Sequence, residues 1–229
     1  MAHGGDIYRN KINLDFSVNI NPLGISDKVR RALAESLGSA ESYPDQKAEK
    51  LTEKLLKVIK INPENIVFGN GASELLMAAV HAFMPKKILI PVPAFYGYEH
   101  AAKASGAHMD HYIMREEHGF ELTEDFLQHI TSDTDMLFIA NPNNPTGKYI
   151  SPELLEKILD KCEKNNVIVM LDECFMELSD EPETHSFLSR YDETGRFKNL
   201  LVLRSFTKTF AIPGLRLGYM VCADENKIR

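Results

Sequence analysis

Cysteine is scarce in this sequence, and its spacing excludes two kinds of small-protein framework. The 229 residues include three cysteines, Cys162, Cys174 and Cys222, and no two of them form a C-x-x-C pair. Neither a zinc knuckle nor a disulfide framework is therefore indicated. Free thiols fit a reducing compartment, so we expect a cytoplasmic protein.

Long apolar runs are also missing. The first ten residues, MAHGGDIYRN, are polar and lack the apolar stretch of a secretion signal. No run approaches the roughly 18 apolar residues that a membrane span requires. We therefore expect neither export nor insertion into a membrane.

An excess of positive charge is missing as well. Lys and Arg number 26 against 33 Asp and Glu, so the formal net charge is -7 at pH 7. This balance argues against nucleic acid or an anionic membrane surface as the main partner, and it favours a small molecule. Hydrophobic residues make up 44% and charged residues 26%, which is typical of a globular chain with a buried core. The length fits one main domain.

Short apolar runs rich in β-branched residues alternate with helix-like segments over most of the chain. Strands that are apolar on both faces indicate a largely parallel sheet covered on both sides, so the sequence predicts an α/β fold. In such sheets ligands bind beyond the carboxyl ends of the strands. The runs are NIVFG, KKILIPV, DMLFIA, NVIVMLDE, NLLVLRSF and LRLGYMVC. One helix has a clear start, with Ser151 as N-cap and Pro152 in its first turn.

The first informative strand end is VFGNGASELL, residues 67–76, where a strand passes through small residues directly into a helix. Open backbone N–H groups and the positive end of the helix dipole suit an anion such as phosphate. A plain tight turn is the alternative. The stretch begins like a dinucleotide fingerprint, but Glu74 occupies the third glycine position, so that fingerprint fails.

Two further strand ends carry aromatic and amide side chains. Phe95, Tyr96 and Tyr98 follow the strand in ILIPVPAFYGYEH and are either core residues or a flat face for a heterocycle. The stretch IANPNNPTGKYIS, residues 139–151, has the composition of an Asn-Pro turn. Such a turn would also present an asparagine amide to a ring oxygen.

A carboxylate, Asp172, follows the apolar run VIVML in VIVMLDECF. A carboxylate at the end of a buried strand is costly unless it meets a cation. A protonated ring nitrogen would be a catalytic partner, and a helix N-cap is the structural alternative.

The stretch SFTKTFAIPGLRLGY, residues 205–219, contains a lysine, Lys208, between hydroxyl residues. A lysine that forms a Schiff base must be neutral part of the time, which burial and a nearby cation favour. Ser205 and Arg216 could bind a phosphate in the same site. An ordinary surface lysine is the alternative for Lys208 taken alone.

Taken together, NPNNPTG and SFTKTFAIPGLRLGY resemble the signatures of the fold-type-I pyridoxal 5′-phosphate (PLP) enzymes, the aminotransferase class I/II superfamily. The resemblance implies a three-layer α/β/α domain with a mostly parallel central sheet, the large domain of these enzymes. It implies an arm over the active site at residues 1–25 and a PLP-binding large domain at residues 26–229, incomplete at its C-terminal end. The small C-terminal domain of the family would be absent from this chain.

The resemblance also implies a role for each strand-end residue. Lys208 would carry the cofactor and move protons, and Asp172 would pair with the pyridinium nitrogen. Asn144 would bond the ring hydroxyl oxygen, and Phe95 would stack on the ring face. The cofactor phosphate would be held by Ala72, Ser73, Ser205 and Arg216.

The start of the chain reads AHGGDIYRNKINLDFSVNINPLG, and within the superfamily it resembles the L-threonine-O-3-phosphate decarboxylases of the cobalamin pathway. By that resemblance His3 of HGG and Asn19 of NINP would bind the substrate phosphate. Many aminotransferases have DEAY where this chain has DECF, so Phe175 cannot make the tyrosine's bond to the ring oxygen. Tyr43 of SYPDQ would reach the cofactor phosphate of the other subunit, which implies a homodimer.

Three hypotheses about activity follow. The first is a PLP-dependent decarboxylase acting on a phosphorylated amino acid, and the second is an aminotransferase of the histidinol-phosphate or aromatic type. The third is a PLP-binding module with little or no activity. His108 and His111 are spaced like metal ligands, but no third ligand has a convincing spacing, so no metal site is predicted.

Overall fold

The structure is a computed structural model of the chain, and it describes residues 4–9, 13–189 and 195–228. Within these residues seven strands form one sheet with the order β1-β7-β6-β5-β4-β2-β3. Each apolar run noted above contains one of them, and β3 is the additional strand. The strands are β1 (Ile66–Gly69), β2 (Lys87–Val92), β3 (His108–Ile113), β4 (Met136–Ala140), β5 (Ile168–Asp172), β6 (Leu200–Ser205) and β7 (Gly218–Cys222).

Strand direction brings distant parts of the chain to one edge of the sheet. β7 runs antiparallel to β1 and β6, whereas the remaining neighbours are parallel. Gly218, the first residue of β7, therefore lies in register with Gly69 and Ser205, the last residues of β1 and β6. The amino end of β7 and the carboxyl ends of the other strands share this edge.

The α-helices connect the strands and cover the sheet. They are α1 (Asp27–Ser36), α2 (Glu49–Leu55), α3 (Ala72–Phe83), α4 (Tyr96–Ser105), α5 (Pro152–Lys164), α6 (Pro182–His185) and α7 (Phe206–Thr209). Short 3-10 helices span Leu37–Glu41, Pro63–Asn65, Glu116–His118, Glu124–His129, Met176–Leu178, Pro213–Leu215 and Glu225–Lys227. The predicted start of α5 is confirmed, since Oγ of Ser151 accepts a hydrogen bond from the N–H of Leu154 at 3.2 Å.

The first two helices, α1 and α2, contribute little to the core. None of the residues of α1 is buried, and α2 buries Leu55 alone. None of the helices in the described ranges is both long and apolar enough to cross a membrane.

The core has two halves, one on each face of the sheet. On the α3/α4 face, Leu201 and Leu203 of β6 pack in one apolar cluster with buried residues of α3 and α4. On the α5 face, Leu200 and Val202 of the same strand pack in a second cluster with buried residues of α5. Side chains of a strand alternate between faces, so a strand apolar throughout serves both halves. The predicted three-layer α/β/α fold with a mostly parallel sheet is confirmed.

Candidate active site

The predicted site residues gather at the shared edge of the sheet. Asp172 and Ser205 are the last residues of β5 and β6, and Lys208 lies on α7 immediately after β6. Arg216 lies just before β7, which returns to the same edge because it is antiparallel. Residues that belong to separate stretches of sequence thus surround one region.

The amino end of α3 forms an open cradle at this edge. Gly71, its N-cap, has φ +83° and provides no side-chain cap for the first turn. A Cβ on Gly71 would lie 2.5 Å from Nη2 of Arg216, so the guanidinium packs directly against the glycine. Ala72 and Ser73 are the first two residues of the helix. A helix start with an adjacent guanidinium is suited to a phosphate group.

A second glycine lets the sheet approach this cradle. A Cβ on Gly218 would lie 2.8 Å from the backbone N of Ala72 and 2.9 Å from the carbonyl O of Arg204. Ser205 is buried next to it, with its Oγ 2.7 Å from Oγ1 of Thr207 and accepting from the Thr207 N–H at 3.2 Å. The hydroxyl of Ser205 therefore also caps the turn that carries Lys208.

Asp172 is held from two sides. Its Oδ2 accepts a hydrogen bond from the phenol of Tyr98 at 2.7 Å, and its Oδ1 accepts one from the N–H of Cys174 at 2.9 Å. Each carboxylate oxygen has a further lone pair for a cationic partner. The contact with Tyr98 was not predicted from the sequence.

Lys208 is half-buried, and its amine faces an aromatic ring. Nζ lies 5.6 Å from the centroid of the Phe175 ring. Burial lowers the pKa of Lys208 and the charge of Arg216 lowers it further, whereas Cys174 and Asp172 act in the opposite direction. A lowered pKa increases the fraction of neutral, nucleophilic amine near neutral pH.

Asn21 connects the N-terminal segment to the lysine, although sequence reasoning did not select it. Its backbone N–H donates to the carbonyl of Lys208 at 3.0 Å. Its side-chain amide donates to the carbonyl of Thr209 at 2.9 Å. Sequence reasoning selected Asn19 of the same NINP motif instead.

A cavity of about 380 Å³ opens beside Phe175 and is lined by Asn19 and Asn144 among others. The structure thus brings Asn19 to the same cavity as Asn144, across more than 100 residues of sequence. Phe95 is the N-cap of α4, and its ring packs against those of Tyr96 and Tyr98.

Tyr43 and His3 are the remaining predicted site residues. The Tyr43 side chain is fully exposed, at 100%. His3 lies outside the described residues. The roles assigned to these and to the other site residues remain predictions.

Adjacent to Asp172, Glu173 points to the opposite face of the sheet and is completely buried. Its carboxylate forms an ion pair with Arg204 at 2.7 Å and accepts hydrogen bonds from the Ser186 hydroxyl at 3.0 Å and the Phe187 N–H at 2.6 Å. Arg204 also pairs with Glu177. Burial lowers the pKa of Arg204, but Glu173 and Glu177 outweigh it and raise that pKa above its ordinary value.

Comparison with known proteins assigns this arrangement to a family. The profile of the family described as aminotransferase class I and II matches residues 11–228, nearly the whole chain. The chain belongs to this family. The recognition based on the two sequence signatures is therefore confirmed.

Curated members of the family show how much of a complete protein is present. Threonine-phosphate decarboxylase of Salmonella typhimurium is 37% identical, with 98% of this chain and 62% of that protein covered. Histidinol-phosphate aminotransferase of Bacillus subtilis is 34% identical, with 92% of this chain and 58% of that protein covered. The chain thus spans less than two thirds of the length of these relatives.

Solved structures of the family share the fold. Histidinol-phosphate aminotransferase from Clostridium acetobutylicum has a TM-score of 0.82 and 30% identity over 93% of this chain and 61% of that one. L-threonine-O-3-phosphate decarboxylase from Porphyromonas gingivalis has a TM-score of 0.76 and 26% identity over 92% of this chain and 60% of that one. Both kinds of relative named in the sequence hypotheses therefore have this architecture.

Proposed function

We propose that this chain binds pyridoxal 5′-phosphate at the shared edge of the sheet and forms the cofactor-binding part of a PLP-dependent enzyme. The observation that carries the proposal is the meeting of three unlike groups there. A half-buried lysine with a lowered pKa, a carboxylate with open lone pairs and a helix start beside a guanidinium surround one region. These are the three groups that the amine-reactive carbonyl, the ring nitrogen and the phosphate of this cofactor require.

The residues present fit the cofactor on a structural ground. A Cβ at Gly71 or Gly218 would lie 2.5 Å from Nη2 of Arg216 or 2.8 Å from the backbone N of Ala72, so these glycines let the guanidinium and β7 pack against the α3 start. Residues that would hold the phosphate are Ala72, Ser73, Ser205 and Arg216. Asp172 would meet the ring nitrogen, Phe95 the ring face and Asn144 the ring oxygen.

When bound, pyridoxal phosphate supplies a ring that accepts the electron pair of a bond broken at the substrate Cα. Asp172 would keep the ring nitrogen protonated, which favours that acceptance. Lys208 would hold a proton at Nζ and deliver it to Cα, or remove one from Cα. Which Cα bond the substrate-binding residues orient toward the ring face decides between decarboxylation and transamination.

A decarboxylase acting on a phosphorylated amino acid, threonine-phosphate decarboxylase-like and of the cobalamin pathway, is the first proposed activity. It is supported by the 37% identical relative of that name and by the position of Asn19 at the cavity beside Asn144. His3 would be a second ligand of the substrate phosphate. An aminotransferase of the histidinol-phosphate type is the second candidate, supported by relatives at 34% identity.

A third candidate is a module that binds the cofactor with little or no turnover. In each case residues 1–25 would form an arm over the site and residues 26–229 the large domain. The contacts of Asn21 with Lys208 and Thr209 support an arm at this position.

A homodimer with a shared site is part of the proposal. Tyr43 has no buried environment in its own chain, which fits a side chain that reaches the cofactor phosphate of the partner subunit. The cytoplasmic location is likewise a proposal that rests on the unpaired cysteines.

Covalent attachment of the cofactor tests the proposal first. The chain is incubated with pyridoxal phosphate, reduced with borohydride, digested and analysed by mass spectrometry. We expect the cofactor mass on the peptide that contains Lys208 and complete loss of that label in Lys208→Ala. The control Lys148→Ala removes an exposed lysine and should retain the label. A label absent from the wild-type chain, or present on many lysines equally, would overturn the proposal.

Activity assays on the unreduced chain loaded with pyridoxal phosphate then separate the three activities. Release of CO2 and an amine from O-phospho-L-threonine supports the decarboxylase. Amino transfer to a 2-oxo acid supports the aminotransferase. Labelling of Lys208 with neither reaction supports the binding module.

A further inference from the structure

Tyr98 is a buried tyrosine whose hydroxyl is hydrogen-bonded to Asp172, the carboxylate proposed to meet the cofactor ring. It is 1% exposed, and its O–H donates to Oδ2 of Asp172 at 2.7 Å. The N–H of Cys174 holds the other oxygen at 2.9 Å. One contact comes from α4 and the other from the chain just after β5, so together they fix the plane of the carboxylate.

The ring of Tyr98 is itself fixed by aromatic neighbours. Its centroid lies 5.6 Å from that of Phe95, with an interplanar angle of 85°, and 5.5 Å from that of Phe138. The contact with Phe95 is edge-to-face and the contact with Phe138 is tilted, so the ring of Tyr98 is packed between two aromatic neighbours. Tyr98 therefore links the Asp172 carboxylate to the ring of Phe95, the residue proposed to stack on the cofactor.

The phenol of Tyr98 acts as a donor. Burial raises its pKa well above the ordinary value, and the charge of Asp172 raises it further. The phenol thus remains protonated, and a charge-assisted hydrogen bond to the carboxylate is stronger than one between neutral groups.

A second buried tyrosine, Tyr112, forms a comparable hydrogen bond to an aspartate outside the candidate active site. Tyr112 is 5% exposed, and its hydroxyl lies 3.0 Å from both carboxylate oxygens of Asp125 and 3.1 Å from Oγ1 of Thr123. Asp125 also pairs with Arg115 at 3.1 Å. The partners of Asp125 are therefore structural. Asp172, in contrast, lies at the edge of the sheet where the cradle and Lys208 lie.

We infer that Tyr98 is a positioning residue that orients the Asp172 carboxylate toward the ring nitrogen of the bound cofactor. This inference rests on the proposed function. Loss of the hydroxyl would leave the Asp172 carboxylate held by the N–H of Cys174 alone and would weaken its contact with the ring nitrogen. The ring of phenylalanine at position 98 would still fill the core, because the change removes a single oxygen.

The test compares two ligands. Equilibrium dissociation constants are measured by absorbance titration for pyridoxal phosphate and for its deaza analogue, in which carbon replaces the ring nitrogen. We expect Tyr98→Phe to weaken binding of pyridoxal phosphate about tenfold, because a misoriented Asp172 would lose much of one charge-assisted hydrogen bond to the ring nitrogen. Binding of the analogue should change less than about twofold, because the analogue has no nitrogen for Asp172 to meet.

The control is Tyr112→Phe, which removes an equivalent buried phenol from Asp125 and should alter neither constant. Equal weakening of both ligands by Tyr98→Phe would show a merely structural role and overturn the inference, as would unchanged affinity for both. Thermal unfolding of the variant confirms that the titrated chain is folded. Failure of the wild-type chain to bind pyridoxal phosphate overturns the proposed function and this inference together, which distinguishes it from the other outcomes.

Discussion

Asp172 and Glu173 are consecutive carboxylates with opposite surroundings. Because strand residues alternate, Asp172 lies on the α3/α4 face beside Tyr98, and Glu173 lies on the α5 face beside Arg204. Glu173 has three protein donors, Ser186 and Arg204 on Oε2 and Phe187 on Oε1, and the residue is 0% exposed. Asp172 has one protein donor on each oxygen and is only partly buried.

The same division continues on the neighbouring strand. Arg204 points to the α5 face and completes the pair with Glu173, whereas Ser205 follows it on the α3/α4 face near Gly218. Glu173 and Arg204 thus belong to a buried ionic cluster on the α5 face. Their chain neighbours Asp172 and Ser205 belong to the candidate active site, which is the open site of this comparison. A fully buried carboxylate paired with a buried guanidinium serves the fold, whereas a partly buried carboxylate with two neutral donors can still accept a bond from a cationic ligand.

The largest effect that this comparison predicts is on stability. Glu173→Ala leaves the buried Arg204 guanidinium without its main partner, so we expect the free energy of unfolding to fall by roughly 3–5 kcal/mol. Asp172→Asn keeps the shape and loses a charge that water partly solvates, so the expected fall is below about 1 kcal/mol. Urea denaturation followed by circular dichroism measures both.

Cofactor binding should respond in the reverse order. Asp172→Asn should weaken pyridoxal phosphate binding more than Glu173→Gln does, provided that both variants are folded at the titration temperature. Equal losses of stability in Glu173→Ala and Asp172→Asn would show that the two carboxylates do not differ as described.

A smaller effect tests whether the open site is also well packed. Gly218→Ala places a Cβ 2.8 Å from the backbone N of Ala72, so β7 and the start of α3 must separate. We expect a loss of roughly 1–3 kcal/mol from overpacking and weaker binding of the phosphate group. Inorganic phosphate protection against thermal unfolding is a second readout.

Gly214→Ala is the matched control, because nothing lies within 4 Å of a Cβ at that position. It should change stability by less than about 0.5 kcal/mol. Gly218→Ala with wild-type stability and phosphate binding would mean that the close approach of β7 to α3 is dispensable.

Many of the residues at this edge of the sheet were predictable from the sequence, because each directly follows a recognisable strand. The strands are apolar β-branched runs, and Asp172, Ser205 and Lys208 each follow such a run directly. Since parallel strands end at one edge of a sheet, their meeting follows from the α/β pattern alone. The antiparallel direction of β7, which returns Arg216 to that edge, has no local signal.

Contacts between distant segments were not predictable in this way. Tyr98 and Asp172 are 74 residues apart, and Asn21 and Thr209 are 188 residues apart. Spacing within one helix or strand carries no information about such pairs. The aromatic cluster of Phe95, Tyr96 and Tyr98 indicated a core or a flat face, and the structure adds a hydrogen bond that composition cannot reveal.

The smallest effect concerns Lys208 in the cofactor-free chain. Its pKa lies below the ordinary value of 10.5, mainly because of burial. Below the folded-state pKa the lysine is charged in both folded and unfolded chains, so the penalty of burying the ammonium is fully present. Between that pKa and 10.5 the unfolded chain binds more protons, so stability rises with pH.

We therefore expect Lys208→Met to stabilise the cofactor-free chain slightly at neutral pH, by less than about 1 kcal/mol because the amine is partly solvated. The advantage should shrink as pH rises toward 10.5, and paired urea titrations at several pH values measure it. Lys198→Met, which leaves the buried amine in place, should show no such trend. A wild-type chain as stable as Lys208→Met at every pH would mean that the amine is not penalised by burial. If Lys208→Met is the more stable chain, the two regions differ in their effect on the fold. The ionic cluster around Glu173 stabilises it, whereas the buried amine of Lys208 destabilises it slightly until a ligand binds.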